Sequence, residues 1–265
     1  GVRLEGRAHL VTASVTAAKN LTRSVEQAGL RAKGLVLEQL ASSLSCLTDD
    51  ERELGVGVVD IGGGTTDLAI FHDHSIQHTA VLPVGGDHIT RDLAVGLRTP
   101  TGEAERIKRR YGCAQAALVD RNDTIEVPGI GGREPRILSR RVLCEIIEPR
   151  GEEIFRMVRG EIQKSGYDHL IASGIVITGG STLLEGMPEI AEETMDIPVR
   201  RGIPAGVGSG LVQMVRSPIH ATGIGLLLYG LNREVPSNGF GGNGQRGAFG
   251  DVCQQMKSVF SKVFQ

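Results

Sequence analysis

"GVGVVDIGGGTTDLAIF", residues 55–71, places three consecutive glycines between two apolar runs. The runs have the length and the β-branched composition of strands, so a strand is predicted on each side of the glycines. Gly62, Gly63 and Gly64 can turn sharply and leave their backbone N–H groups unobstructed. Such a loop is either a tight hairpin turn or a nest that holds phosphate oxygens, and the loop alone favours neither.

Residues beside the glycines could add ligands to a phosphate site. Thr65 and Thr66 carry hydroxyls that could donate further hydrogen bonds. Asp60, at the end of the first predicted strand, could hold Mg²⁺ through water, and Asp67 is a second candidate. The loop is not a Walker A motif, because no Gly-Lys-Ser/Thr follows and the next predicted element is a strand.

A second glycine pair, Gly179-Gly180, lies between an apolar run and a predicted helix. This position suits the ribose or phosphate of a nucleotide, since free N–H groups and the helix dipole favour anions. The alternative is a plain turn between a strand and a helix. Two glycine turns, each at the carboxyl end of an apolar strand, indicate a ligand cleft more strongly than either does alone.

Composition limits the classes of protein that remain. The 265 residues can bury a large core, and 40% hydrophobic with 23% charged residues is ordinary for a globular protein. A net charge of −2 argues against a nucleic-acid partner, and the basic run at 106–112 is interpreted as a solvated helix face. Four cysteines without CxxC spacing indicate a reducing cytosol. No apolar run approaches the roughly 20 residues that span a bilayer.

Apolar periodicity alternates between strands and helices, which is typical of an α/β fold. Residues 174–195 are predicted to form a buried strand, a glycine turn and a helix, with Thr182 and Glu185 at capping-box spacing. A Gly-Gly turn and an Asp87 cap are predicted to begin a helix within 84–97. Strands are also predicted at 8–13, 34–38, 56–61, 65–71, 75–82 and 124–127, and helices at 15–28, 39–47, 102–111, 139–164 and 219–231. A metal site at His72, His74 and His78 is disfavoured, because no cysteine or further acidic ligand accompanies them.

Three segments resemble the actin and Hsp70 ATPase superfamily. VVDIGGGTTDLAIF is similar to its second phosphate loop, GIVITGGSTLLEGMPE to its adenosine motif, and ATGIGLLLYG to its second connecting helix. Four further segments together resemble the FtsA family of bacterial cell-division proteins: LASSLSCLTDDERELGVGVVDIGGGTTD, AERIKRRYGCA, VPGIGGREPR and EIIEPRGEEI. The resemblance implies an α/β, actin-like (ribonuclease H-like) ATPase fold. Because the chain starts without Met and the family's first phosphate loop is not in it, we expect an N-terminally truncated chain with half of the nucleotide site.

The resemblance implies ATP and Mg²⁺ as ligands and assigns roles to individual residues. Asp60 would lie near the metal, and Glu38 occupies the place of a water-orienting acid. Glu105 and Lys108, one helical turn apart, would reach the ribose and base, although from the residues alone an exposed ion pair is preferred. The remaining implied contacts are to phosphate, from Gly62, Gly63, Gly64 and Thr65, and to adenosine, from Gly179, Gly180 and Ser181.

The resemblance also implies a domain organisation. Residues 1–53 would be a remnant of the first lobe (a helix, a strand and a helix after the end of an inserted subdomain), and 99–170 an inserted helical subdomain that binds FtsZ. The other parts would be second-lobe segments at 54–98, with the phosphate hairpin, and 171–231, with the adenosine motif and connecting helix, then a flexible linker at 232–248 and an amphipathic helix at 249–265.

The last segment carries an apolar stripe at helical spacing. On a helix about 25 Å long, this stripe is interpreted as a membrane-surface anchor. The alternative is a terminal helix docked on the core, but ordering the glycine-rich linker would cost conformational entropy. The residues assigned to membrane binding are Phe249, Val252, Met256, Val259, Phe260, Val263 and Phe264.

The function implied by the resemblance is structural recruitment. An actin-like, ATP-binding protein would anchor the FtsZ ring to the cytoplasmic face of the inner membrane at the division site, as a peripheral protein. It would bind the FtsZ C-terminal tail, self-associate into filaments with other FtsA subunits and recruit downstream divisome proteins, with at most a weak ATPase activity. The alternatives are a small-molecule kinase, which would need a catalytic acid in a substrate cleft, and an Hsp70-like chaperone, which would need a β-rich substrate domain.

Overall fold

A computed structural model describes residues 3, 6, 8–206 and 215–234 of the chain. By its internal contacts the chain divides after Gly230, and of the second unit only the end of one helix is described. The described helices are α1 (Val15–Gln27), α2 (Glu38–Cys46), α3 (Asp49–Leu54), α4 (Gly86–Leu97), α5 (Thr101–Tyr111), α6 (Arg140–Ser165), α7 (Met187–Met195) and α8 (Ala221–Glu234). The described strands are β1 (Val56–Ile61), β2 (Thr66–His72), β3 (Ser75–Leu82), β4 (Thr124–Val127), β5 (Arg136–Ser139), β6 (Ile175–Thr178) and β7 (Val199–Arg201).

The main sheet has five strands in the order β3-β2-β1-β6-β7. β1 pairs antiparallel with β2 and parallel with β6, while β4 and β5 form a separate ribbon. Because β1 and β6 are parallel, their carboxyl ends meet at one edge of the sheet. The triple-glycine loop follows β1 and the Gly179-Gly180 turn follows β6, so the topology brings the two glycine motifs together.

Helices cover both faces of this sheet, as the alternation of side chains along β1 requires. Val59 and Ile61 pack into the larger core with residues of α4, α6 and α7. Val56 and Val58 pack on the other face, in a smaller core that includes Cys46 of α2 and Ala221 of α8. This arrangement of layers is that of an α/β domain, and the three predicted strands at 56–82 and the helices at 102–111 and 139–164 are confirmed to within a residue or two.

Two predicted strands are wrong. In the described part of the chain, residues 8–13 and 34–37 form no strand, and Glu38 already begins α2. β-Branched composition favours an extended backbone, but a strand needs a neighbour to satisfy its N–H and C=O groups. No described segment supplies that neighbour here, and α1, between the two segments, has no buried residue.

Two predicted helix caps are also wrong. α4 is capped by Gly85, whose N–H donates to His88 Nδ1 at 3.2 Å, and Asp87 is the second residue inside the helix. Thr182 lies in a short 3₁₀ turn and donates to the Gly179 carbonyl at 2.8 Å, while α7 begins later, at Met187. In both cases a glycine turn moves the helix start away from the polar residue that spacing would select. α8 extends to Glu234, into the segment predicted as a linker.

Candidate functional site

A pocket of about 400 Å³ lies where the carboxyl ends of β1 and β6 meet the start of α4 and the C-terminal half of α5. It brings together six residues that the sequence assigned to nucleotide binding: Gly62, Gly63, Glu105, Lys108, Gly180 and Ser181. Three others, Gly64, Thr65 and Gly179, belong to the same two turns but do not line the pocket. Its remaining walls are Gly86, Asp87, Arg109, Gly112, Leu183, Leu184 and Ile219.

Hydrogen bonds hold the glycine loop in place through its carbonyl groups. The Gly62 carbonyl accepts from the Gly86 N–H at 3.0 Å and from the Ser181 hydroxyl at 2.9 Å. The Gly62 N–H donates to the Thr65 carbonyl at 2.9 Å, so it is already used. Among the described residues the N–H groups of Gly63 and Gly64 have no acceptor. The loop therefore offers two backbone donors on a fixed frame, which is the property that an anion-binding nest needs.

The hydroxyls predicted to assist this loop are engaged elsewhere. Thr65 Oγ1 donates to Asp67 Oδ2 at 3.0 Å, and Thr66 Oγ1 donates to the Val84 carbonyl at 2.8 Å. A hydroxyl has only one proton to donate. Within the loop itself, the donors available to a ligand are therefore the backbone amides of Gly63 and Gly64, and not the threonine hydroxyls.

The glycines of the site fall into two groups. A Cβ at Gly86 would lie 2.4 Å from Ser181 Oγ, and one at Gly179 would lie 2.4 Å from Asp60 Oδ1, so both are glycine because neighbouring groups pack against them. A Cβ at Gly64 would meet nothing within 4 Å, and at Gly180 only Ile219 at 3.9 Å. Gly64 and Gly180 therefore leave open space beside the unpartnered amides, and a phosphate or a nucleoside could occupy this space.

Lys108 and Glu105 form the ion pair that the residues alone predicted, but Lys108 is buried. Its Nζ lies 2.6 Å from Glu105 Oε2, 2.9 Å from the Gly86 carbonyl and 2.8 Å from Thr90 Oγ1. These three acceptors match the three N–H donors of an ammonium group. Burial would raise the pKa of Glu105, but the hydrogen bonds from Lys108 and Thr90 outweigh it and lower that pKa. Lys108 therefore joins α5 to the start of α4.

Three carboxyl groups near the glycine loop interact electrostatically: those of Glu38, Asp60 and Asp67. Burial raises the pKa of Asp60, and hydrogen bonds from Ser42 and Thr222 offset part of this rise. Burial also raises the pKa of Asp67, and the charge of Asp60 adds to it. Although Glu38 is exposed as a residue, partial burial of its carboxyl and the charges of Asp67 and Asp60 raise its pKa.

Within the described ranges, no group of three His, Cys, Asp or Glu residues is arranged to hold a metal ion. This finding covers Asp60 with its acidic neighbours and also His72, His74 and His78. Asp60 and its acidic neighbours offer only oxygen atoms, the ligand type that Mg²⁺ prefers, and the place of Asp60 near a water-held cation stays a prediction.

Several residues of the site were missed from the sequence. The Gly85-Gly86 pair is similar to the triple glycine at 62–64 and to the Gly179-Gly180 pair, but the sequence predicted only a turn there. Ser42 and Thr222, which donate to Asp60, lie in small-residue helices that carry no motif of their own. Leu184 and Ile219 line the pocket as apolar residues, and nothing in their local pattern distinguishes them from core positions.

The predicted membrane-binding residues, from Phe249 to Phe264, lie outside the described residues. Of the helices that are described, none has both the length and the apolar character needed to cross a membrane.

Comparison with known proteins gives a consistent match. The family model described as "Cell division protein FtsA" matches residues 57–225. The chain is 53% identical over 234 residues to the cell division protein FtsA of Pseudomonas aeruginosa, covering 88% of this chain and 56% of that protein. It is 47% identical over 228 residues to the FtsA of Neisseria meningitidis, covering 86% of this chain and 55% of that protein. The chain thus spans about half the length of these relatives.

Among solved structures, the crystal structure of MreB5 of Spiroplasma citri bound to ADP is similar, with a TM-score of 0.66 and 18% sequence identity. The match covers 83% of this chain and 67% of that one, and it confirms the actin-like fold. The identity at 43 to 53% with relatives from several bacteria confirms the resemblance seen in the motifs. The chain belongs to the FtsA family of cell division proteins.

Proposed function

We propose that this chain is the larger part of an actin-like, ATP-binding protein that anchors the FtsZ ring to the cytoplasmic face of the membrane at the division site. The observation that carries the nucleotide part is the pair of unpartnered N–H groups at Gly63 and Gly64, beside a pocket lined by Gly180. The MreB5 neighbour, which was solved with ADP, supports this ligand class. Phosphate would be held at the glycine loop, and the nucleoside would lie between Ser181 and the apolar residues Leu184 and Ile219.

The acidic residues support a secondary role in this site. Asp60 would hold Mg²⁺ through water, and the ion would supply positive charge to the phosphates. Glu38, with its raised pKa, is the proposed water-orienting acid. Hydrolysis is expected to be weak at most, since the proposed role is recruitment.

Calorimetric titration of the chain with ATP and Mg²⁺ tests the nucleotide site. Gly180→Val fills the open space next to Ser181 and should weaken binding at least about tenfold, because a branched side chain would displace the ligand. Gly160→Val is the control, since a Cβ there meets nothing within 4 Å and the residue lies on α6, away from the pocket. Equal binding by the two variants would contradict the proposal. So would a failure to bind by a protein extended at its N-terminus to include the first phosphate loop.

The FtsZ tail is proposed to dock on the subdomain at residues 99–170. A cavity of about 220 Å³ on this subdomain is lined by Arg106, Arg110, Tyr111, Glu126 and Pro128 among others. The Arg110 guanidinium lies 5.1 Å from the centre of the Tyr111 ring, so a cation and an apolar surface are adjacent. This chemistry suits an extended peptide that carries both acidic and apolar side chains.

Fluorescence anisotropy with a labelled FtsZ C-terminal peptide tests this contact. Arg110→Glu should weaken binding about tenfold or more by replacing attraction with repulsion. Arg156→Glu introduces the same change on exposed α6, outside the cavity, and should have little effect. If the two substitutions act alike, the peptide binds elsewhere.

Membrane attachment is proposed from the sequence of residues 249–265. In a liposome co-sedimentation assay, Phe260→Glu should strongly reduce binding, because it places a charge on the apolar stripe. Ser258→Glu adds the same charge to the polar face and should reduce binding much less. Self-association into filaments, also proposed, would strengthen membrane binding by avidity and help recruit downstream divisome proteins. The tether mechanism fails if Phe260→Glu sediments like the unchanged chain.

A further inference from the structure

Helices α2 and α8 cross in direct backbone contact. A Cβ on Gly225 would lie 1.7 Å from the Ala41 carbonyl oxygen and 3.0 Å from its Cα. At the same crossing the Ser45 hydroxyl donates to the Ala221 carbonyl at 2.7 Å. The two helices therefore cannot slide or rotate against each other without breaking these contacts.

Both helices also hold the same carboxylate. Ser42 Oγ, on α2, lies 2.7 Å from Asp60 Oδ2, and Thr222 Oγ1, on α8, lies 3.3 Å from the same oxygen. The two hydroxyl oxygens are 3.0 Å apart. Asp60 is only 5% exposed and is the penultimate residue of β1, just before the glycine loop.

We propose that Ser42 and Thr222 are positioning residues that clamp Asp60, and that through Asp60 they couple the α2–α8 crossing to the ligand at the glycine loop. The clamp itself is a property of the ligand-free fold. Its effect on ligand affinity rests on the proposed nucleotide-binding function.

The surroundings of Asp60 explain why a clamp is needed. The charges of Glu38, from α2, and Asp67, from β2, interact unfavourably with a charged Asp60. Cys46, also on α2, is a further titratable neighbour, and it is buried. The hydrogen bonds from Ser42 and Thr222 favour the charged carboxylate and so offset part of this cost.

The orientation of the carboxylate is also defined on its other side. A Cβ on Gly179 would lie 2.4 Å from Asp60 Oδ1, so this oxygen faces the second glycine turn while Oδ2 faces the helices. A cation held through water at the loop would depend on this orientation. Conversely, a shift of α2 against α8 would move Asp60, and with it the site.

A double-mutant cycle in urea tests the clamp without any nucleotide. Ser42→Ala and Asp60→Ala together should lower the urea midpoint by clearly less than the sum of the single changes, since each removes the same hydrogen bond. Ser45→Ala is the matched control, because it removes a buried serine from the same crossing without touching Asp60. Its effect should add to that of Asp60→Ala. Additive behaviour of Ser42→Ala would overturn the proposal.

Titration with ATP and Mg²⁺ tests the coupling to the ligand. Ser42→Ala and Thr222→Val should each weaken ATP binding about tenfold. Thr222→Ser keeps the hydroxyl and should bind ATP with the affinity of the unchanged chain. Ser43→Ala, which removes a buried serine of α2 whose hydroxyl donates to the Leu40 carbonyl of the same helix, should leave the affinity unchanged. If Ser43→Ala weakens binding as much as Ser42→Ala, the effect is one of general stability and the coupling is refuted. If a protein extended at its N-terminus to include the first phosphate loop also binds no nucleotide while the Ser42–Asp60 cycle is non-additive, the clamp stands and the proposed nucleotide function fails.

Discussion

The Lys108 ammonium lies 2.6 Å from the Glu105 carboxylate, one turn earlier on α5, and the pair forms part of the wall of the glycine-lined pocket. The Lys108 side chain is 8% exposed and the Glu105 side chain 40%, so burial falls mainly on the cation. With all three of its donors used by the protein, Lys108 stabilises the junction of α4 and α5. This relation gives the pair a structural role in addition to the contacts proposed with a nucleotide.

Lys108→Met should therefore lower the free energy of unfolding even without a ligand. The loss is expected to be about 1–3 kcal/mol, because the Gly86 carbonyl and Thr90 hydroxyl lose a charged donor. Arg106→Met is the control: its pair with Glu103 has the same spacing on the same helix, but the Arg106 side chain is 67% exposed. That change should cost less than about 0.5 kcal/mol. Urea unfolding measures both, and similar losses would show that Lys108 has no special structural role.

The crossing of α2 and α8 predicts opposite effects for two glycines of one helix. Gly225→Ala should lower the free energy of unfolding by about 3 kcal/mol or more, since its Cβ would lie 1.7 Å from a backbone oxygen. Gly223→Ala should raise it by up to about 1 kcal/mol, because nothing lies within 4 Å and alanine favours a helix. Thermal unfolding followed by circular dichroism distinguishes them. A tolerated Gly225→Ala would mean that the helices separate easily.

The pair of Glu51 on α3 and Arg200 on β7 predicts a pH-dependent contribution to stability. Arg200 donates to both Glu51 carboxylate oxygens at 2.6 Å. Burial would raise the pKa of Glu51, but the hydrogen bonds from Arg200 and Thr48 outweigh it, and the pKa lies below the ordinary 4.5. A carboxyl whose pKa is lower when folded stabilises the fold above its unfolded pKa, and that stabilisation is lost as the pH falls through the folded pKa.

Glu51→Gln should thus cost about 1–2 kcal/mol at neutral pH, and the difference should shrink as the pH falls below about 4.5. Urea unfolding at a series of pH values gives the comparison. Glu152→Gln, from an exposed pair on α6, serves as control and should differ little from the unchanged chain at any pH. A cost for Glu51→Gln that does not change with pH would rule out the ionic contribution.

The buried Cys144 thiol is expected to be unreactive. Burial raises its pKa to about 11 from the ordinary 9.0, so at pH 8 it carries about one hundredth of the usual thiolate. Iodoacetamide at pH 8, with peptide mass spectrometry, should modify it at least about 100-fold more slowly in the folded chain than in concentrated urea. Comparable rates in the two conditions would mean that α6 opens readily.

Much of the fold could be predicted from the local pattern. The hairpin strands and the long helix α6 follow from apolar periodicity and glycine positions, which act over a few residues. The strands predicted at 8–13 and 34–38 were wrong because strand pairing depends on a neighbour that local composition does not reveal. The caps predicted at Asp87 and Thr182 were wrong because glycine turns displaced the helix starts.

Of the candidate site, too, one part could be predicted from the sequence and another part could not. The glycine motifs identify the residues that could bind a phosphate, since only glycine combines sharp turns with open N–H groups. The sequence did not show that the Gly62 amide and the Thr65 and Ser181 hydroxyls are used internally while Gly63 and Gly64 remain available. That distinction depends on which carbonyls and carboxylates lie within 3 Å.

By itself the sequence determined the family, the α/β class and the two glycine motifs at strand ends, because these are properties of residue order. Only the tertiary structure decided that Ser42 and Thr222, 180 residues apart in the chain, share one oxygen of Asp60. Hydrogen bonds form between groups that are close in space, and residue spacing fixes that distance only within a single helix or strand. In this protein the distance between these groups is set by the parallel pairing of β1 with β6 and by the close crossing of α2 with α8.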